Sequence, residues 1–313
     1  MPMLTRLPET DILIFNSSIN KMLTLLRLFL LVTLIHSGIF CSLLYGSETE
    51  TVFKRIISLY PAHTENLTAL GLTEELIGIA TSDTYPPAVL SKQRFSHRDN
   101  AEKFISARPD LVLIRPMIAH AVPQLLDQLR GAGITVISLQ PRSIDEMFDY
   151  WMELGRLSGK DTAGAQMVLA FKLELQKIQE LTEMIPPQDR PRVYFESIHS
   201  KMKTFSPTSI AIFVLEQAGG RNIAMNAKPR RDTNIAAYGK ERILSHAGEI
   251  EIFLAQQGRM NRVSTQQIIQ EPGFQAIKAV QKGKVFLVDE QLVSRPTQRI
   301  LEGIRQIRAI LYQ

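Results

Sequence analysis

The stretch Asp161–Met184, DTAGAQMVLAFKLELQKIQELTEM, decides the fold of this chain. It contains no proline, its one glycine lies in the first turn, and strong helix formers dominate it. Apolar residues recur at helical spacing and predict one buried stripe, formed by Met167, Phe171, Leu175, Ile178, Leu181 and Ile185. We expect an N-cap at Asp161 and an end before Pro186. At about 1.5 Å per residue the helix is a rod of about 36 Å, long enough to join two lobes.

The composition is that of an ordinary globular protein large enough for two domains. The chain has 313 residues, of which 45% are apolar and 21% charged. Its net charge is +5, without a basic run of the kind that binds nucleic acid, so we expect no nucleic-acid partner. The single cysteine, Cys41, excludes an internal disulfide framework and a cysteine metal cluster.

The N-terminal segment differs from the rest of the chain. Leu23–Tyr45 is apolar except for a few polar positions, a lysine precedes it and the polar GSETE follows. This order is typical of a signal peptide cleaved near Gly46, with Met22 as an alternative start. A permanent anchor is one alternative, and lipidation at Cys41 is another, although the preceding Gly-Ile-Phe lacks the small residue expected before a lipobox cysteine. We assign residues 1–46 to a signal peptide or anchor.

Short apolar runs alternate with helical segments on both sides of the long helix. Strands are predicted at Arg55–Leu59, Leu76–Ala80, Leu111–Ile114, Ile134–Leu139, Arg192–Glu196, Ile250–Ala255 and Val285–Val288. Helices are predicted at Glu65–Leu70, after Asn100 through Ala107, and at Pro123–Arg130, Ser143–Leu157, Ser209–Ala218, Lys240–Ser245, Thr265–Gln270, Phe274–Val280 and from Pro296 onward. This alternation predicts an α/β protein whose two Rossmann-like lobes contain parallel sheets. We assign the lobes to residues 47–160 and 186–313, bridged by a single rigid helix at 161–185, with a ligand cleft between them.

Several segments, in this order, resemble the periplasmic binding proteins of ABC importers for vitamin B12, haem and ferric siderophores. They are RIISLYPAHTENLTALGL, SDTYPP, ARPDLVLI, FSPTSIAIFVLEQAGGRNIA and KVFLV followed by a long helix, and the resemblance runs from about Arg55 to Tyr312. It implies two α/β lobes bridged by one long helix. It also implies an exported, periplasmic, monomeric protein without a cofactor of its own. Such a protein delivers its ligand to an inner-membrane permease and the ATPase that drives it.

The same resemblance implies roles for two glutamates. In this family an acidic residue on the exposed top of each lobe engages arginines of the permease. The segments NAEKFISARPDLVLI and YGKERIL place these residues at Glu102 and Glu241. Each lies in the first turn of a predicted short helix, where a carboxylate also stabilises the positive end of the helix dipole. A purely local role is therefore the alternative to docking.

Loops at the carboxyl ends of the predicted strands supply candidate ligand-binding residues. The main candidates are His63, Tyr85, Arg98, Arg115 and Met117 in the first lobe and His199, Arg231, Asn261 and Arg295 in the second; Tyr60, His97, Lys201, Lys203 and Arg230 lie in the same loops. Arginine offers a fixed fork of donors to carboxylates and catecholates, and aromatic rings stack on chelates. We therefore expect an iron chelate as ligand: a ferric siderophore, a haem-like molecule or a related anionic complex.

Other ligands and another class of function are alternatives. Cobalamin or another corrinoid is one, although vitamin B12-binding pockets are rich in tryptophan and the only tryptophan here, Trp151, falls in a predicted helix. Direct capture of a metal ion would use the loop histidines His63, His97, His120 and His199, which lack close paired spacing, and an oxyanion such as molybdate is a further alternative. An enzyme on this scaffold could use Glu196 as a base. The sequence lacks the G-x-S-x-G, H-E-x-x-H, P-loop and G-x-G-x-x-G motifs, so we predict no enzymatic activity.

Overall fold

Two β-sheets, separated in the sequence by one long helix, organise the computed structural model, which describes residues 51–229 and 233–313. The strands are β1 Ile56–Ser58, β2 Leu76–Ala80, β3 Gln93–Phe95, β4 Leu111–Ile114, β5 Thr135–Ser138, β6 Arg192–Ile198, β7 Lys203–Phe205, β8 Arg221–Asn222, β9 Lys228–Pro229, β10 Ile235–Ala237, β11 Ile252–Gln257 and β12 Val285–Asp289. The α-helices are α1 Pro61–Ala69, α2 Ala101–Ala107, α3 Pro116–Ala121, α4 Pro123–Gly131, α5 Ile144–Ser158, α6 Asp161–Glu183, α7 Ile210–Gln217, α8 Lys240–Ser245, α9 Thr265–Ile269, α10 Lys278–Gln281, α11 Glu290–Val293 and α12 Ile300–Leu311.

The first sheet is entirely parallel, in the strand order β3-β2-β1-β4-β5. Every residue of β1 and β4 is buried, as expected for central strands with helices on both faces. Strand β3 lies in a segment that we predicted to be a loop. In this strand only Phe95 is both apolar and buried, so β3 lacks the apolar run by which the other strands were recognised.

The second sheet is mixed, in the order β12-β11-β6-β7-β10-β9, with β8 pairing the start of β6. Its β6, β8, β11 and β12 are parallel, whereas β7, β9 and β10 run antiparallel to their neighbours. The α/β class is confirmed, but the second sheet is not wholly parallel. Strand β6 turns back into β7 through His199–Lys201, and antiparallel neighbours need only such a short turn. A connection of three residues is too short to show a periodic pattern, so the sequence did not indicate that the chain reverses direction here.

Helix α6 is the long helix predicted from the sequence. The predicted stripe is buried at Met167, Phe171, Leu175 and Ile178. Two details were wrong. The N-cap is Lys160, and the helix begins at Asp161. No side chain caps this end of the helix. Leu181 is exposed, because the buried face continues instead at Thr182, whose hydroxyl donates to the Gln217 carbonyl oxygen at 2.8 Å.

Helix α6 packs on the first lobe through aromatic side chains. The Phe171 ring centroid lies 5.3 Å from that of Trp151 and 5.7 Å from that of Phe148, both on α5. One continuous apolar core contains these residues together with Leu111 of the first sheet and Leu254 of the second. Because close-packed cores resist deformation, this continuity favours small movements between the lobes.

Some predictions concern segments or boundaries that the structure does not test. Residues 1–46, including Cys41, lie outside the described residues, and the lobe boundaries 47–160, 161–185 and 186–313 stay predictions. Within residues 51–229 and 233–313, no helix has both the length and the apolar character required to cross a membrane.

Candidate ligand cleft

The first lobe presents its crevice where the strand order reverses, between β1 and β4. In open α/β sheets ligands bind at such a switch point, beyond the carboxyl ends of the strands. Strand β1 leads to Tyr60 and β4 leads to Arg115. The Arg115 guanidinium carbon lies 5.1 Å from the Tyr60 ring centroid, and its Nη2 lies 3.6 Å from Sδ of the exposed Met117. The structure therefore brings two predicted residues, Arg115 and Met117, together at this edge.

The corresponding switch point of the second lobe lies between β6 and β11. Asn261, in the loop after β11, accepts a hydrogen bond at 2.9 Å from the backbone N–H of His199, which follows β6. Its Nδ2 donates to the Gln256 carbonyl oxygen at 2.8 Å, and the side chain is buried. Both ends of this amide are therefore used inside the protein. Our prediction of Asn261 as a ligand contact is corrected: Asn261 fixes the loops that shape the cleft.

The ring of His199 lies between two carboxylates. Its Nδ1 is 2.9 Å from Oε2 of Glu196, and its Nε2 is 3.7 Å from Oε2 of Glu271, which also pairs with Lys240 at the start of α8. The hydrogen bond to Glu196 raises the pKa of His199, and burial raises the pKa of Glu196. His199 thus lies at the predicted place, with Nδ1 hydrogen-bonded to Glu196 and Nε2 facing the carboxylate of Glu271. The ring also links the end of β6 to α8.

His63 does not lie in a loop, because α1 begins at Pro61 and not at Glu65 as predicted. The side chain is completely buried, with Nδ1 2.7 Å from the Tyr150 hydroxyl and Nε2 3.0 Å from the Ile114 carbonyl oxygen. A carbonyl oxygen can only accept, so Nε2 carries the proton and Nδ1 accepts from Tyr150. Burial lowers the pKa of His63 to about 4, which keeps the ring neutral. The prediction that His63 contacts ligand is therefore wrong.

A segment of the second lobe reaches across to the first lobe. The last helix begins at Ile300 and not at Pro296, and a short additional helix, α11, precedes the connecting segment. The Pro296 carbonyl oxygen accepts hydrogen bonds from Asn66 Nδ2 at 2.9 Å and from Trp151 Nε1 at 3.2 Å. Trp151 is fully buried, which confirms that it serves packing. These two bonds hold the segment against the first lobe.

The same segment places two arginines beside a buried carboxylate of α1. Arg295 Nη1 pairs with Oε1 of Glu65, and Arg299 Nη1 lies 3.7 Å from Oε2. The Arg299 guanidinium carbon also lies 4.3 Å from the ring centroid of Tyr85, which is partly exposed. Two predicted residues, Arg295 and Tyr85, therefore take part in this cluster.

Sequence reasoning missed Glu65 and Arg299, since both fell in predicted helices. The i, i+4 spacing of Arg295 and Arg299 is the one local signal, and it says nothing about a partner 230 residues earlier in the chain.

Several of these charged groups influence the pKa of the Tyr60 hydroxyl. Burial raises the pKa of this phenol. The guanidinium groups of Arg115 and Arg295 act to lower it, whereas the carboxylates of Glu65 and Glu290 act to raise it further. Charged groups from both lobes thus lie near the Tyr60 hydroxyl.

Arg98 and the two predicted docking glutamates are exposed in the described part of the chain. Arg98 is exposed at the loop after β3, and Arg231 lies outside the described residues. Glu102 and Glu241 are exposed in the first turns of α2 and α8, as predicted, and Glu102 accepts a hydrogen bond from Asn100 at 2.8 Å. Within the described part of the chain, no group of three or more His, Cys, Asp or Glu side chains is arranged to hold a metal ion.

Comparison with known proteins agrees with this architecture. The chain belongs to the periplasmic binding protein family, whose model matches residues 56–292. It is 28% identical over 265 residues to an ABC transporter substrate-binding lipoprotein of Bacillus subtilis, covering 83% of this chain and 80% of that protein. It is 26% identical over 258 residues to the vitamin B12-binding protein of Vibrio cholerae, covering 81% and 87%. A solved structure described as a possible iron-binding (periplasmic solute-binding) protein of Staphylococcus epidermidis has a TM-score of 0.71 and 28% identity, covering 83% and 99%.

The fold and the family together define the class of this protein. It is a substrate-binding protein of ABC transporters, and the resemblance found in the sequence is confirmed. Its relatives are substrate-binding proteins rather than enzymes, and members of the family are periplasmic proteins or lipoproteins. Substrate-binding proteins of importers work with a membrane permease and an ATPase.

Proposed function

We propose that this protein captures an iron chelate, of the siderophore or haem-like class, in the cleft between its lobes. The observation that carries the proposal is a pair of arginine–aromatic contacts, one within the first lobe and one between the two lobes. Arg115 lies over Tyr60 within the first lobe, and Arg299 of the second lobe lies over Tyr85 of the first. Such pairs offer flat apolar surface beside a cation, which suits a planar or ring-bearing chelate that carries acidic groups.

A corrinoid is the second candidate, and a specific observation favours it. The similarity to vitamin B12-binding proteins extends over 258 residues, almost the whole described part of the chain. Against it stands Trp151, which is fully buried and thus offers no tryptophan surface to a corrin ring. Tyr60 and Tyr85 would have to provide the aromatic surface for a corrin ring instead.

Delivery of the ligand to a permease completes the proposed function. Glu102 and Glu241 are exposed carboxylates in the first turns of their helices, one in each lobe, which supports a role in docking to cationic side chains of a permease. Lys240, next to Glu241, pairs with Glu271, and Glu271 lies beside His199 at the cleft. We propose that transport uses a small closure of the lobes, since the shared apolar core favours limited movement. The energy would come from the importer's ATPase, so the protein binds its ligand without chemical turnover.

Calorimetric titration of the mature protein with a ferric trihydroxamate, haem and cyanocobalamin tests this proposal. We expect saturable one-to-one binding of one class and recovery of the ligand unchanged. Arg115→Gln should weaken binding of that ligand about tenfold or more, since a charged hydrogen bond in a partly buried site is worth about 1.5–3 kcal/mol. Arg98→Gln is the matched control, because Arg98 is an exposed loop arginine of the same lobe, and it should bind like wild type. Equal losses in the two variants, or conversion of the ligand, would contradict the proposal.

A further inference from the structure

The carboxylate of Glu65 stands out because it is nearly buried and yet faces the cleft arginines. Its side chain is 3% exposed. It belongs to the first lobe, whereas its partners Arg295 and Arg299 belong to the second. A buried carboxylate strongly favours nearby compensating cations, because loss of its partners would leave an uncompensated charge. Glu65 therefore engages two arginines that would otherwise be offered to a ligand.

Arg115 is in a different position. Its guanidinium contacts the Tyr60 ring and the sulfur of Met117, and neither of these groups is negatively charged at neutral pH. The neighbouring Met117 is exposed, and its contact with Arg115 lies at an exposed position. Among Arg115, Arg295 and Arg299, only Arg115 has no carboxylate partner within the described part of the chain.

The balance of charge in the cleft follows from these contacts. Around Tyr60 the described residues include the cations Arg115, Arg295 and Arg299 and the carboxylates Glu65 and Glu290. Arg299 also faces a second carboxylate, since its Nε lies 4.0 Å from Oε2 of Glu302. Glu290 is fixed in place, since its Oε2 accepts from the backbone N–H of Met260 at 3.3 Å.

We infer that Glu65 is a specificity-determining residue that sets the charge of the cargo. Together with Glu302, whose Oε2 lies 4.0 Å from Arg299 Nε, it offsets the charges of Arg295 and Arg299 from within the protein and leaves Arg115 as the cation offered to the ligand. It thereby favours chelates with little net negative charge, such as an uncharged ferric trihydroxamate or a haem-like molecule, over highly anionic chelates. A trianionic ferric triscatecholate is disfavoured, because its three negative charges exceed the single positive charge of Arg115 and would come close to the carboxylate of Glu65. This inference rests on the proposed function and narrows its ligand class.

Binding of two ferric chelates to designed variants tests the inference. The measured quantity is the ratio of the affinities for an uncharged ferric trihydroxamate and a trianionic ferric triscatecholate, because general damage to the cleft changes both alike. Wild type should prefer the trihydroxamate. Glu65→Gln removes the carboxylate that Arg295 and Arg299 share and should shift the ratio toward the triscatecholate by on the order of tenfold or more. The double variant Glu65→Gln, Arg295→Gln removes one charge of each sign and should return the ratio close to that of wild type.

A second variant keeps the test valid if Glu65→Gln does not fold. Arg299→Gln removes a cation that lies 3.7 Å from Glu65, so it should shift the ratio further toward the uncharged chelate. An unchanged ratio in the folded variants, or a wild-type preference for the triscatecholate, would overturn the inference and leave the proposed function standing. Failure of the wild type to bind these chelates, haem and cyanocobalamin would overturn the proposed function itself, and this inference with it.

Discussion

Two buried titratable groups close to the cleft should give this protein an unusual dependence of stability on pH. Burial lowers the pKa of His63 from 6.5 to about 4. Burial also raises the pKa of Asp83 from 3.8 to about 6, although its Oδ2 accepts from Thr64 Oγ1 at 2.8 Å and from the Ala80 N–H at 2.9 Å. The proton affinity of each group therefore differs between the folded and the unfolded chain.

The two groups act on the free energy of unfolding with opposite signs. Between pH 6.5 and 4 the unfolded chain protonates His63 and the folded chain does not, so stability is lost as the pH falls. Between pH 3.8 and 6 the folded chain keeps the proton on Asp83 and the unfolded chain does not, so stability is lost as the pH rises. At about 1.4 kcal/mol for each pH unit, each effect amounts to roughly 3 kcal/mol. From pH 4 to 6 they should nearly cancel.

Urea unfolding from pH 4 to pH 7.5 measures each contribution by difference. Asp83→Asn removes one titration, so its free energy of unfolding should rise relative to that of wild type by roughly 3 kcal/mol between pH 4 and pH 6. His63→Gln should show the opposite difference, falling relative to wild type as the pH rises from 4 to 6.5. Asp127→Asn is the control, because that side chain is 77% exposed, and its curve should run parallel to that of wild type.

The test uses the slope of the unfolding free energy against pH. Each substitution also changes stability by a constant amount at every pH, and that constant does not affect the slope. If the curves of wild type and Asp83→Asn ran parallel within about 1 kcal/mol from pH 4 to 6, burial would not control the titration of Asp83, and the reasoning would be refuted. A His63→Gln curve parallel to that of wild type would refute the corresponding argument for His63. Circular dichroism at each pH establishes that the starting states are folded.

Two further predictions concern docking and the long helix. The double variant Glu102→Arg, Glu241→Arg should keep ligand affinity and abolish stimulation of the reconstituted importer's ATPase, whereas the charge-matched control Glu74→Arg, Glu183→Arg should stimulate it normally; equal stimulation by both would exclude the docking role. Phe171→Ala should lower the free energy of unfolding in urea by about 3–5 kcal/mol, because the ring is buried between two aromatic side chains of α5 and its loss leaves a cavity. A loss below about 1 kcal/mol would show that α6 does not depend on this packing.

Regular elements with strong local signals were predictable from the sequence. The bounds of β2 and β4 agree with the predicted strands, because both are short apolar runs between breaking residues. Helix α2 starts after Asn100, whose side chain accepts a hydrogen bond from the backbone N–H of Lys103, as an N-cap does. In each case the deciding residues lie within one segment. The order of these segments was also sufficient to recognise the family.

The candidate site was only partly predictable. Loop position led to Arg115, which follows β4, and to Arg295, which pairs with Glu65, and their contacts with a ligand stay predictions. The same rule failed for His63 and Asn261, because position in a loop does not tell whether a side chain points inward to hydrogen-bond partners. Whether a side chain points inward depends on the hydrogen-bond partners near it, and other helices, strands and loops contribute those partners.

The sequence by itself determined the long helix α6, the alternation of strands and helices and the class of protein, because helical periodicity, apolar runs and capping residues act between near neighbours. Only the tertiary structure decided which charges the cleft offers to a ligand. Glu65 meets Arg295 and Arg299 because α1 and the segment before α12 come together across the lobes. The strength of that interaction depends on distance and burial, and neither is set by position along the chain.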